Sequence, residues 1–257
     1  MILIFIVCFD NCFAQVSDSS ENIDSLYKVV QKGLKGNPNN QYYYKAQGDI
    51  LVLKGLINEA IESYNSAINI YPDYIDAISA RGVAYYKESK YDNALRDFNY
   101  CISKSDSIHA EFYFNRALVY HDLKKYQEAL SDYNNAIKVN KNYSDAYFNE
   151  GILYMDIKDY TSAIRLFTDA LIIKPVDAAI LVNRGYVYYQ NTQYDLSIND
   201  FFKALSIDST IIVSHKWLGF SYYKLGDNVK ACENLNKARI LNDDEVEKLI
   251  TLICKNK

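Results

Sequence analysis

Small and apolar side chains return along this chain at a nearly fixed interval. Ala60, Ala94, Ala129, Ala163, Ser197 and Ala231 are separated by 34, 35, 34, 34 and 34 residues. Two other columns keep that register: Gly48, Gly82, Ala117, Gly151, Gly185 and Gly219, and Ala67, Cys101, Ala136, Ala170, Ala204 and Ala238. Large residues fall between them, at Tyr64, Phe98, Tyr133, Phe167, Phe201 and Leu235, and three positions after the glycines, at Leu51, Tyr85, Tyr120, Tyr154, Tyr188 and Tyr222. A period of this length signals a stack of like supersecondary units instead of one central core. The extra residue of the second interval is expected in the polar run Ser103-Lys104-Ser105-Asp106-Ser107.

Each unit splits into two stretches with apolar residues three and four apart, the spacing of a helix face. In the fourth unit these are Asp145 to Ile157 and Tyr160 to Ile172, joined by the tight turn Lys158-Asp159. So short a link makes the two helices antiparallel neighbours. Pro72 and Pro175 stop second helices, because proline lacks the amide hydrogen and disfavours helix in the residue before it. Asp92, Thr161 and Asp195 are expected as N-caps of second helices. Helix axes come within about 8–10 Å only over small side chains. The glycine and alanine columns mark those crossings, and the large columns fill the space beside them.

On these columns the chain resembles the tetratricopeptide repeat family. The fourth unit carries the likeness best, from Ala146-Tyr147 through Gly151, Tyr154, Ala163, Phe167 and Ala170 to Pro175. The resemblance implies an all-α fold, a right-handed superhelical solenoid of antiparallel helix hairpins. A half repeat is expected over 23–38, six full repeats over about 41–243, and a capping helix over about 244–256, together one solenoid over 23–257. The cap is suggested by Val246, Leu249, Ile250 and Ile253 with charge on the other face; a degenerate seventh first helix is the alternative.

The N-terminus has a different pattern. Residues 1–9 are almost wholly apolar, and Cys12 and Ala14 are small. This suggests a signal peptide over 1–14, a flexible segment over 15–22, and export to a periplasmic or extracellular space; without a signal the chain is cytoplasmic. Asp10 and the absence of a leading Lys or Arg argue against the signal. Neither Cys8 nor Cys12 follows the small-residue run of a lipidated cysteine, so membrane association is the minor reading.

Composition narrows the chemistry. A net charge of −4 and the lack of a basic stripe argue against nucleic acid. Of five cysteines, Cys101 occupies a small core column, Cys232 an apolar column and Cys254 the cap. Buried cysteine acting as a small hydrophobe is the default. A Cys232–Cys254 bond is compatible with a cap folded on the last hairpin. His109, His121 and His215 lack a second ligand at helical spacing, and no glycine-rich phosphate loop occurs. No metal, no cofactor and no catalysis are therefore expected.

A surface is the better candidate. In the resembled fold the first helices line the concave face, where Asn115, Asn149 and Asn183 recur once per unit. A row of side chains with both a donor and an acceptor suits the backbone of an extended peptide. The row is similar to the asparagine ladder of the O-linked N-acetylglucosamine transferase superhelix. Holding neighbouring helices together is the equal alternative. Phe114, Phe148, Tyr86, Tyr189, Lys216 and Trp217 lie beside the row, with Trp217 as an anchor. A chaperone-type carboxylate clamp is disfavoured, since Asp49, Ala80 and Glu111 stand where clamp groups belong. The expected partner is a protein or peptide. Self-association through the ends of the stack is the second reading.

Overall fold

A computed structural model describes residues 20–105 and 109–254. The chain divides between Lys141 and Asn142 into two units. The first contains α1 (Ser20–Gly36), α2 (Gln41–Leu53), α3 (Ile57–Ile70), α4 (Ile75–Lys87), α5 (Tyr91–Lys104), α6 (Ala110–Asp122) and α7 (Tyr126–Val139). The second contains α8 (Ser144–Asp156), α9 (Tyr160–Ile173), α10 (Ala178–Gln190), α11 (Tyr194–Ile207), α12 (Ile212–Lys224), α13 (Asn228–Ala238), a 3-10 turn (Arg239–Leu241) and α14 (Asp244–Ile253). Among the described residues there is no strand. The predicted signal segment lies outside them.

In the first unit α2–α3, α4–α5 and α6–α7 are hairpins, and each second helix packs on the next first helix. The second unit repeats this with α8–α9, α10–α11 and α12–α13. The small columns sit at the crossings. A Cβ on Gly48 would lie 2.4 Å from the Tyr64 ring, and one on Gly151 would lie 2.8 Å from Phe167. Ala60, Ala94, Ala129, Ala163 and Ala231 are wholly buried. The inserted residue does lengthen a link: α5 and α6 are joined by 105–109, whereas α3–α4, α9–α10 and α11–α12 use four residues. Ser103 and Lys104 themselves remain helical.

The capping expectation needs correcting. Lys90, Asp159 and Gln193 are the N-caps of α5, α9 and α11, two residues before Asp92, Thr161 and Asp195. Only Asp159 caps with its side chain, accepting from the Ser162 amide. The cause lies in the turn before it. Gly55, Ser89, Lys124, Lys158, Thr192 and Gly226 all take positive φ, in register with the repeat. Each ends the first helix with a left-handed residue, and amides there return to its last carbonyls. At Ser89, for example, the Ser89 amide donates to the Tyr86 carbonyl and the Lys90 amide to the Tyr85 carbonyl. The second helix therefore starts as soon as the left-handed residue is passed.

Candidate functional site

An unforeseen set of side chains fixes how the first helices are presented. Arg81 on α4 forms a two-pronged bond to Asp97 on α5, through Nε at 2.9 Å and Nη2 at 2.8 Å. Its Nη1 reaches Asn65 on α3 at 2.7 Å. Arg116 does the same to Asp132 and Asn99. In the second unit Arg184 grips Asp200 at 2.7 and 2.8 Å and reaches Thr168 on α9 at 3.1 Å. Each guanidinium thus ties its own hairpin to the preceding second helix, and each lies beside a tyrosine ring one turn on, as Arg184 does with Tyr188 at 5.6 Å. Burial disfavours the charge of Arg184, but the hydrogen bonds and charge of Asp200 outweigh it and hold the pKa above its usual value. The planar fork of arginine matches a carboxylate in this way. The constant offset of 16 residues between each arginine and its aspartate is the signal that could have found these pairs in the sequence.

The first unit contains three of the residues nominated from sequence. Phe114 is buried, its ring 6.1 Å from that of Tyr133. Asn115 is half-buried one position on. Tyr86 is half-buried and packs on Tyr91 at 6.1 Å. Burial first, and the charge and hydrogen bond of Asp122 second, push its pKa upward. Lys45 is paired with Asp49 on its own helix at 2.7 Å.

The second unit contains the rest. Phe148 is buried against Phe167 at 5.7 Å. Asn149 is only 4% exposed and donates to the Asp145 carbonyl at 2.8 Å. Asn183 makes the equivalent bond to the Ala179 carbonyl at 2.8 Å but is half-buried. Both amides are tied back to their own helix, as a buried polar group requires. Phe114, Phe148 and Asn149 therefore support the first helices from within, while Asn183 stays partly open to water.

Beyond Asn183 an aromatic wall is formed. Tyr186 and Trp217 lie 4.7 Å apart edge to face, with Tyr189 5.1 Å and Phe220 5.5 Å from Trp217. Tyr186 was not singled out from sequence, although it stands three residues after Asn183 and so shares its helix face. Lys216 turns toward the cap. Its Nζ lies 2.6 Å from Asp243 and 3.5 Å from Glu245. Asp243 also caps α14, accepting from the amides of Glu245 and Val246. Lys216 is thus committed to the chain itself, and Trp217 packs against the cluster of Phe220, Leu235, Val246 and Ile250.

The cysteines depart from the default. Cys232 and Cys254 form a disulfide, with their Cα atoms 5.6 Å apart, joining α13 to the end of α14. They are not independent buried hydrophobes, because α14 returns along α13 and brings the two together. Cys101 is free and buried, and burial pushes its thiol up to about 12. Among the described residues no cluster of three or more His, Cys, Asp or Glu is placed to hold a metal ion. None of the described helices is long and apolar enough to cross a membrane.

A stack of paired helices, tied by internal ion pairs and presenting partly open first-helix faces, defines a repeat scaffold. The chain belongs to the tetratricopeptide repeat family: models of the repeat match residues 48–89, 110–143 and 148–209. No curated protein sequence matches it. Solved structures share the fold at low identity. A chain of the APC/C hetero-tetramer Cut9–Hcn1 is 16% identical over 90% of this chain, with a TM-score of 0.72. This chain spans 46% of that one. A tetratricopeptide repeat protein from Parabacteroides merdae is 20% identical, covering 91% of this chain and 93% of its own, with a TM-score of 0.65. YrrB, described as a TPR protein with an unusual peptide-binding site, is 18% identical over 73% of this chain and 96% of its own, with a TM-score of 0.55. The repeats make this chain a protein-interaction scaffold, of a family that is generally non-catalytic.

Proposed function

We propose that the chain holds an extended peptide or partner segment on its first-helix faces, without catalysis. In the second unit the carrying observation is the juxtaposition of Asn183 with Tyr186, on one face of α10, and of Tyr186 with Trp217 on α12. The amide of Asn183 is held in place by its bond to Ala179 and retains acceptor capacity for a peptide N–H. The neighbouring rings supply rigid apolar area at little entropic cost. YrrB offers a precedent within the same fold for a peptide partner. Asn115 and Tyr86 would serve the first unit in the same manner.

Site-specific photo-crosslinkers test this face. A crosslinker replacing Asn183 or Asn115 should capture the partner, and one replacing Glu233 on α13 should not. Capture from Glu233 alone would refute the placement. The disulfide also supports export, because such bonds persist in oxidising compartments. Alkylating thiols at the moment of cell lysis should leave Cys232 and Cys254 unmodified. Full modification of both would place the chain in a reducing compartment.

A further inference from the structure

The first and last described helices both leave apolar side chains in water. On α1, Leu26 and Val29 are 46% and 62% exposed, while Val30, on the packed side, is 5% exposed. Three residues apart, Leu26 and Val29 share one strip of helix surface. Around α14, Ile240, Leu241 and Leu252 are 69%, 40% and 64% exposed. Isolated apolar residues on a surface need no explanation, but grouped ones mark contact sites.

The charges bordering these strips are opposite. Lys28, Lys32 and Lys35 are exposed along α1, and its one described carboxylate, Asp24, is already paired with Lys54 at 2.6 Å. Asp244 and Glu245 are exposed in the first turn of α14. Glu247 is paired with Arg239, Asp243 with Lys216 at 2.6 Å and Glu245 with the same lysine at 3.5 Å, and Lys248 is the only base on that helix. The described face of α1 is apolar with a basic border, and that around the first turn of α14 is apolar with an acidic one. The Cys232–Cys254 bond and the Lys216–Asp243 pair hold α14 firmly enough to act as a preformed surface.

We propose that these two surfaces bind each other between copies of this chain, α1 of one copy docking on α14 and the 239–241 turn of the next. The contact is heterologous, so a dimer as a whole retains one free surface of each kind, and association continues into rings or open chains. Leu26 and Val29 meet Ile240 and Leu252, and the lysines face Asp244 and Glu245. The rim charges set the register and make the contact sensitive to salt.

Sedimentation equilibrium of the full chain tests this. The average mass of the wild type should climb with concentration past that of a dimer, and should fall as salt is raised. Val29→Glu places an acid against the acidic border, and Leu252→Lys places a base against the basic one. Each variant alone should remain monomeric. Mixed, they should form a one-to-one dimer and stop, because the first retains an intact C-terminal surface and the second an intact N-terminal one. Leu26→Glu with Ile240→Lys repeats the experiment from neighbouring exposed positions, should either first variant lose helicity by circular dichroism. A wild type that stays monomeric at every concentration overturns the proposal. So does association of either folded variant alone, or a mixture that remains monomeric.

Discussion

Hairpins α10–α11 and α12–α13 follow one another in the second unit and have the same outline, yet they are held by different forces. In α10–α11 the crossing at Gly185 is flanked by the Arg184–Asp200 pair, whose side chains are 14% and 1% exposed. One repeat on, the same positions are Leu218, wholly buried, and Asn234, whose Nδ2 donates to the Lys230 carbonyl and whose Oδ1 lies 3.0 Å from His215 Nδ1. Arg184 can reach back to Thr168 on α9. The corresponding residue behind Leu218 is Phe202, which offers an arginine no acceptor. The last hairpin takes its support from the other side, through the disulfide and the apolar cluster under α14. The same backbone geometry is therefore compatible with an ionic or an apolar fastening. A buried ion pair gains little net energy over a well-packed apolar pair, because both charges lose water.

The sharpest way to separate the two is to remove one partner. Asp200→Ala leaves the Arg184 guanidinium without its carboxylate and should cost about 3–5 kcal/mol, read by chemical denaturation. Arg184→Leu combined with Asp200→Asn puts the leucine and asparagine of the last hairpin at these positions and should recover most of that loss. A double variant as unstable as the single one would show that the ion pair is required by the geometry of α10–α11, and that the two hairpins are not interchangeable.

A smaller effect is expected at the cap. The disulfide closes a loop with a sequence separation of 22. Cys254→Ser should cost about 3 kcal/mol by the loop-closure relation. Because neighbour contacts dominate a repeat array, the loss should appear in amide exchange of α14 and the end of α13, with α10–α11 nearly unchanged. Equal acceleration in α10–α11 would mean that the cap stabilises the whole second unit, and that the contrast between the hairpins is only one of detail.

Sequence revealed the helices well and their fastenings poorly. The period, the crossings at Gly48 and Gly151, the stops at Pro72 and Pro175 and the presence of a helix after Asp243 could be read because each depends on residues close in the chain or on a fixed column. Arg81, Arg116 and Arg184 were passed over because their partners lie 16 residues away on another helix, beyond any local window. The burial of Phe114 and Phe148 is hidden from the sequence for a related reason. A column says that a position faces inward, but not whether a second helix already covers it. Lys216 and Trp217 were recognised as distinctive, while the helix that engages them was described separately as a cap. Their chemistry lay in the meeting of the two.

The mildest test concerns the turns. Thr192, between α10 and α11, has φ 60°, and Gly226, in the same place between α12 and α13, has φ 82°. A left-handed backbone costs a residue with a Cβ about 1–2 kcal/mol, and a β-branched one is the least suited to it. Glycine escapes that strain but loses about 0.5–1 kcal/mol through its freedom in the unfolded chain. The two terms have opposite signs in the two hairpins. Thr192→Gly should therefore raise the stability of α10–α11 by up to about 1 kcal/mol, and Gly226→Thr should lower that of α12–α13 by a comparable amount. Thermal melts of the two variants give the comparison directly. If Thr192→Gly were instead destabilising, the threonine would have to make a compensating contact through its hydroxyl, and the positive φ shared along the repeat would be tolerated for side-chain reasons and not for want of an alternative backbone.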